Sequence, residues 1–87
     1  MTTLVQIRQR YRANWNHLTF LVESEDRQWT LRVQDECSDR LLYTAGRSNR
    51  TAAQTAGLEF AILGGAVAEQ QASPEALARA LHWQEYW

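Results

Sequence analysis

Lysine is absent from this chain of 87 residues, and all nine of its basic residues are arginine. A bias in source composition accounts for that most simply. Its physical consequence is a set of forked, bidentate donors suited to carboxylates and phosphates. Cys37 is the only cysteine, which excludes an intrachain disulfide and a cysteine-based zinc cluster. With one proline and four glycines, the composition is not that of a low-complexity or disordered chain. The longest apolar run, residues 60–68, is about half of the ~20 residues a membrane-spanning helix needs. The first residues show no signal-peptide pattern, so the expected setting is cytoplasmic.

The content that remains is that of one small folded unit, a single α+β domain over residues 1–87. The chain is 45% hydrophobic and 22% charged. Its four tryptophans allow a small core to form without staples, since each aromatic ring buries ~150–250 Å². The net charge of −1 gives no global pull toward nucleic acid or anionic membrane. The charges are unevenly placed. Arg8, Arg10 and Arg12 stand in the first 22 residues without an acid, whereas residues 23–40 hold six acids and three arginines. Two differently charged surfaces are the expectation.

Alternation marks the middle of the chain as sheet. Leu18, Phe20 and Val22 alternate with Thr19, Leu21 and Glu23, and Trp29, Leu31 and Val33 alternate with Thr30, Arg32 and Gln34. This period of two is that of half-buried strands. The polar stretch from Ser24 to Arg27 predicts a hairpin with a loop of three to five residues. Leu41 to Ala45 predicts a third strand, with Leu41 and Tyr43 beside Thr19 and Leu21 on a second, fairly apolar face. The fold expected is a three-stranded antiparallel meander packed on one face by two C-terminal helices. The N-terminal segment is a further helix or a fourth strand. As a helix it sets Leu4, Ile7, Tyr11 and Trp15 on one stripe, behind a capping box of Thr3 and Gln6, and this reading is favoured. As a strand it lines up Arg8, Arg10 and Arg12.

The first C-terminal helix begins after a Ser48 or Asn49 cap. Ala52, Ala56, Phe60 and Leu63 form one row on it, and Ala53, Gly57, Ala61 and Gly65 form a smooth second row that fits either the sheet or another helix. Ser73-Pro74-Glu75 starts the second helix with a cap, a proline in the first turn and an acid at the positive end of the dipole. Its predicted stripe is Ala76, Ala80, Trp83 and Trp87, flanked by Leu77 and Leu81.

Catalytic chemistry finds little support in these residues. Cys37 lies among Asp35, Glu36 and Asp39, which disfavour a thiolate. His17 and His82 stand far apart, the acidic stretch lacks the pattern of a calcium loop, and Gly64-Gly65 follows a helix rather than a strand. The expectation is a protein without enzymatic activity, metal, cofactor or small-molecule substrate.

Residues 46–56, from Gly46 through Arg47, Ser48 and Arg50 to Ala56, resemble the entry into the last helix of the double-stranded-RNA-binding domain. A helix, three strands and a helix would also be that family's order. The resemblance implies phosphate contacts from Arg47, Ser48 and Arg50. Asn49, Arg50 and Ala53 stand where the family carries its basic patch, so one cation of three remains and weak binding follows. The leading expectation is a small protein-interaction or regulatory module. It docks another protein or a second copy of itself through Trp83, Tyr86 and Trp87, through the small-residue helix face, or both. Arg8, Arg10 and Arg12 offer a basic patch for an acidic partner segment, and Trp and Tyr are common anchors of interfaces.

Overall fold

The computed structural model describes residues 9–63 and 73–86. Readings that fall on Leu4, Ile7, Arg8, Gly65 and Trp87, and on the capping box of Thr3 and Gln6, lie outside those residues. The described residues form five strands and two helices: β1 Arg10–Trp15, β2 Leu18–Glu25, β3 Gln28–Asp35, β4 Leu41–Arg47, α1 Arg50–Leu63, α2 Pro74–Ala80 and β5 Gln84–Glu85. One antiparallel sheet holds the strands in the order β4-β3-β2-β1-β5.

The helical reading of the N-terminal segment is wrong from Arg10 onward. Tyr11 and Trp15 do share a side, but as strand residues facing Val22 and Leu18. Spacings of three and four are compatible with a helix stripe, yet Ala13 completes a period of two with Tyr11 and Trp15, and Ala13 is buried. The deciding term is the turn that follows. Asn16 and His17 are a two-residue loop with φ of 47° and 65°, the left-handed pair a tight hairpin of type I′ demands. Asparagine tolerates this region well. His17 is thus a turn residue between β1 and β2.

The next hairpin is also tighter than expected. Glu25 pairs with Gln28, leaving Asp26-Arg27 as the loop, with Asp26 at φ 55°. The turn before β4 is held by the Asp39 N–H on the Asp35 carbonyl oxygen at 2.8 Å and by the Ser38 hydroxyl on an Asp35 carboxylate oxygen at 2.7 Å.

Phe20, Val22, Leu31, Val33 and Leu58 are fully buried and form the centre of the core. Helix α1 lies over β2, β3 and β4, and α2 packs against α1. The smooth row faces the sheet: Ala53, Gly57 and Ala61 are buried, and a Cβ on Gly57 would stand 2.9 Å from Cδ1 of Phe20. That surface is therefore taken up within the chain and is not open to a partner. Leu63 departs from its expected row and is 89% exposed.

Asn49 caps α1, its Oδ1 accepting the Ala52 N–H at 2.8 Å, and Ser73 caps α2 through the Ala76 N–H. Helix α2 stops at Ala80 rather than running on to Trp87. Leu81 is already extended, with φ −71° and ψ 149°. Ala78, Leu77 and Leu81 turn inward, whereas Ala76 and Ala80 are exposed, so the predicted stripe is displaced. The tail is drawn off the helix because two new bonds reward it: the Trp83 indole N–H donates to the Ala78 carbonyl oxygen at 2.8 Å, and Gln84-Glu85 pairs with β1.

Candidate functional site

The side of the sheet away from α1 is set by the alternate residues of each strand. Arg12, Leu21, Arg32 and Thr44 form one row across β1 to β4, and Arg10, Glu23, Thr30 and Gly46 form the next. At the β5 edge, Gln84 stands opposite Arg12, and the Tyr86 N–H donates to the Arg10 carbonyl oxygen at 2.9 Å. The tail thereby adds the Tyr86 ring to the same side as the arginines. A hollow of about 400 Å³ opens among Arg10, Leu21, Glu23, Glu25, Thr30, Arg32 and Tyr86.

Three guanidinium groups from two non-adjacent strands thus surround one leucine and one tyrosine. Arg10 Nε lies 3.4 Å from Glu23 Oε1, and the Arg12 guanidinium carbon is 6.0 Å from the centre of the Tyr86 ring. Burial pushes the Tyr86 hydroxyl above its usual pKa of 10.0, helped by Glu23 and opposed by Arg10, Arg32 and Arg12. The phenol is consequently a neutral donor at physiological pH. The hollow itself holds two arginines and two glutamates, and Arg12 stands beside it next to Leu21 and Tyr86, adding a further donor for a carboxylate over a partly apolar floor.

The expected apolar second face is changed by a register shift between Val33 and Gln34. Leu41 pairs with Gln34 and joins Leu21 on the open side, whereas Tyr43 pairs with Val33 and goes to the helix side. There it stacks on Phe60 with ring centres 4.8 Å apart. Period-two counting cannot anticipate this split, because one extra residue inverts all that follows.

The expected site residues do not form one patch. Arg10, Arg12 and Tyr86 come together. Trp83 is half-buried, its ring centre 6.3 Å from that of Phe20, and it anchors the tail rather than presenting itself. The RNA-binding resemblance takes Tyr11 and Trp15 into a first helix, but Arg10–Trp15 is a strand, and among the described residues four strands rather than three precede α1. Arg47, Ser48 and Arg50 are exposed but do not join Arg10, Arg12 and Arg32: the Arg47 guanidinium donates to the Gly46 carbonyl oxygen, and Arg50 lies 4.7 Å over the Tyr11 ring. A second hollow of about 350 Å³ lies near Tyr11, Arg50, Gln54, Glu75, Arg79 and Trp83.

Arg32 is the site residue that sequence reasoning missed. Alternation with Leu31 and Val33 already puts it on the open side, but only the pairing of β2 with both neighbours sets it across Leu21 from Arg12. Among the described residues there is no cluster of histidine, cysteine, aspartate and glutamate that could hold a metal ion, and no helix long and apolar enough to cross a membrane. Comparison of the chain with protein-family models, with curated proteins and with solved structures finds no match in any of the three.

Proposed function

We propose that this chain is a protein-interaction module without catalytic activity, whose open sheet face receives an acidic segment of a partner protein. The observation that carries the reading is the placement of Arg12 and Arg32 on either side of Leu21, with Arg10 and Tyr86 beside them. Guanidinium groups bind carboxylates through two parallel hydrogen bonds, so they supply direction as well as charge. Tyr86 adds a rigid ring and a neutral hydroxyl, the combination found in interface anchors. Glu23 engages Arg10 at 3.4 Å, so the exposed Arg12 and Arg32 are the arginines on which the reading chiefly relies. Trp83 serves the same surface indirectly, by fixing the tail that carries Tyr86. Docking of a regulatory kind in the cytoplasm fits the lone exposed Cys37, which a reducing setting leaves as a thiol.

Fluorescence anisotropy with a labelled peptide rich in Glu and Asp tests this directly. Binding is expected at low salt, weakening as salt rises, and it should be lost when Arg12 and Arg32 are both changed to Glu. A neutral peptide of equal length should bind far less. No binding of the acidic peptide at ~50 mM salt, where screening is still modest, rejects the reading. Retention of an RNA duplex instead, lost when Arg47 and Arg50 are neutralised, would replace it with nucleic-acid recognition.

A further inference from the structure

The two edges of the sheet are treated differently. At one edge the chain returns to cover β1 with β5, at Tyr11 and Arg12. At the other edge β4 runs for seven residues with no neighbour on its outer side among the described residues; it contains neither proline nor lysine, and its one irregularity is the inserted residue at Leu42. An unpaired strand edge carries a row of free N–H and C=O groups that another strand can complete. Leu41 and Leu42, 52% and 41% exposed, sit on this strand.

From this edge we infer that the chain self-associates by pairing β4 with β4 of a second copy, antiparallel and about a two-fold axis at Thr44. Three features of β4 select a second copy as the occupant. The first is size. In that register Leu42 meets Gly46 of the second copy, Tyr43 meets Ala45, and Thr44 meets Thr44, so each large side chain faces a small one. A Cβ on Gly46 would have nothing within 4 Å, so there is open space beside it for a leucine. Threonine pairs across strands are favourable in themselves.

The second feature is charge. From the end of β3 to the start of β4 stand Asp35, Glu36 and Asp39 against Arg40, a net acidic stretch, whereas Arg47 closes β4 and Arg50 follows it at the other end. Antiparallel pairing sets the acidic turn of each copy beside the basic end of the other, twice over. Parallel pairing would instead stack Arg47 on Arg47. The third is closure. A two-fold contact of this kind is satisfied by two copies and leaves no new edge. The sheet would then run continuously through ten strands with both arginine-bearing faces on one side. This inference does not depend on the acidic-segment reading, since it uses none of Arg10, Arg12, Arg32 or Tyr86.

Sedimentation velocity and light scattering on the full chain, over concentrations up to ~1 mM, give the test. A dimer mass is expected. Leu42→Glu and Gly46→Lys should each return the chain to monomer, the first by placing a carboxylate against the second copy and the second by filling the space Leu42 enters. Both positions are exposed, and circular dichroism should show the fold intact in each variant. The double variant sets the introduced acid opposite the introduced base and should restore the dimer. A wild-type monomer throughout the range overturns the inference. So does a dimer indifferent to both single changes, or a double variant that stays monomeric. Loss of acidic-peptide binding with the dimer intact would count against the proposed function alone.

Discussion

Gly57 carries the closest approach of helix to sheet. Its missing Cβ would lie 2.9 Å from Phe20 Cδ1 and 3.3 Å from Leu31 Cδ1, and both of those side chains are fully buried. Alanine there would gain ~1 kcal/mol of helix propensity. It would lose ~1–3 kcal/mol to overpacking, because neither neighbour has room to yield. Overpacking is the larger effect, so Gly57→Ala is expected to lower the melting temperature by several degrees, at ~4–8 °C per kcal/mol in a domain of this size. A melting curve unchanged or raised would show that α1 stands further from the sheet than described.

At the same scale, Ser38 holds the Asp35 carboxyl below its usual pKa of 3.8 by donating its hydroxyl, assisted by N–H groups of Cys37 and Ser38. A carboxyl depressed in the folded state stabilises that state above pH 3.8, and the contribution disappears as pH falls through the lower folded value. Ser38→Ala should therefore leave stability near neutral pH little changed in its pH slope and flatten the slope on the acid side. Chemical denaturation at stepped pH reads that difference. Tyr86 works in the opposite sense. Its raised pKa means that stability declines as pH rises above 10.0, and Tyr86→Phe removes this alkaline loss.

At the scale of elements, each helix depends on its first turn. Asn49 meets the Ala52 N–H through its side chain and the Ala53 N–H through its carbonyl. Asn49→Ala should cost ~0.5–2 kcal/mol, visible as a shift in the urea midpoint without a change in slope. The tail shows a different logic. Pro74–Ala80 has only two turns, too short to stand alone. It is held by packing on α1 and by Trp83, whose indole closes back onto Ala78. Trp83→Ala should loosen both α2 and β5, so amide exchange should quicken in residues 74–86 before it does in β2 or β3. Equal acceleration everywhere would mean that the tail is part of the cooperative core.

For the whole molecule, a net charge of −1 conceals an uneven placement of sign. The open face gathers Arg10, Arg12 and Arg32 with Glu23 and Glu25 at one end, whereas Asp26, Glu36 and Asp39 lie in the turns before β3 and β4. Reversing Arg12 and Arg32 together should therefore weaken acidic-peptide binding more than the sum of net charge implies. A control that reverses Arg27 and Arg40, which lie in turns, changes net charge equally and should have a small effect. Parallel anisotropy titrations of the two variants distinguish a shaped site from general attraction.

The sequence alone determined which residues prefer strand and which prefer helix. Leu18 to Val33 alternates because a half-buried sheet requires it, and Ser73-Pro74 starts a helix through local bonds and a fixed φ. These are short-range effects, and they are legible within a window of a few residues. Tertiary structure decided the rest. The identity of β1 turned on the Asn16-His17 hairpin pairing it with β2, the parting of Leu41 from Tyr43 on one inserted residue, and the end of α2 on bonds to Ala78 and β1. The candidate site is wholly of that second kind. Arg12, Arg32 and Tyr86 lie far apart in the chain, and only strand register brings them around Leu21, because pairing partners are chosen by long-range packing that no local pattern encodes.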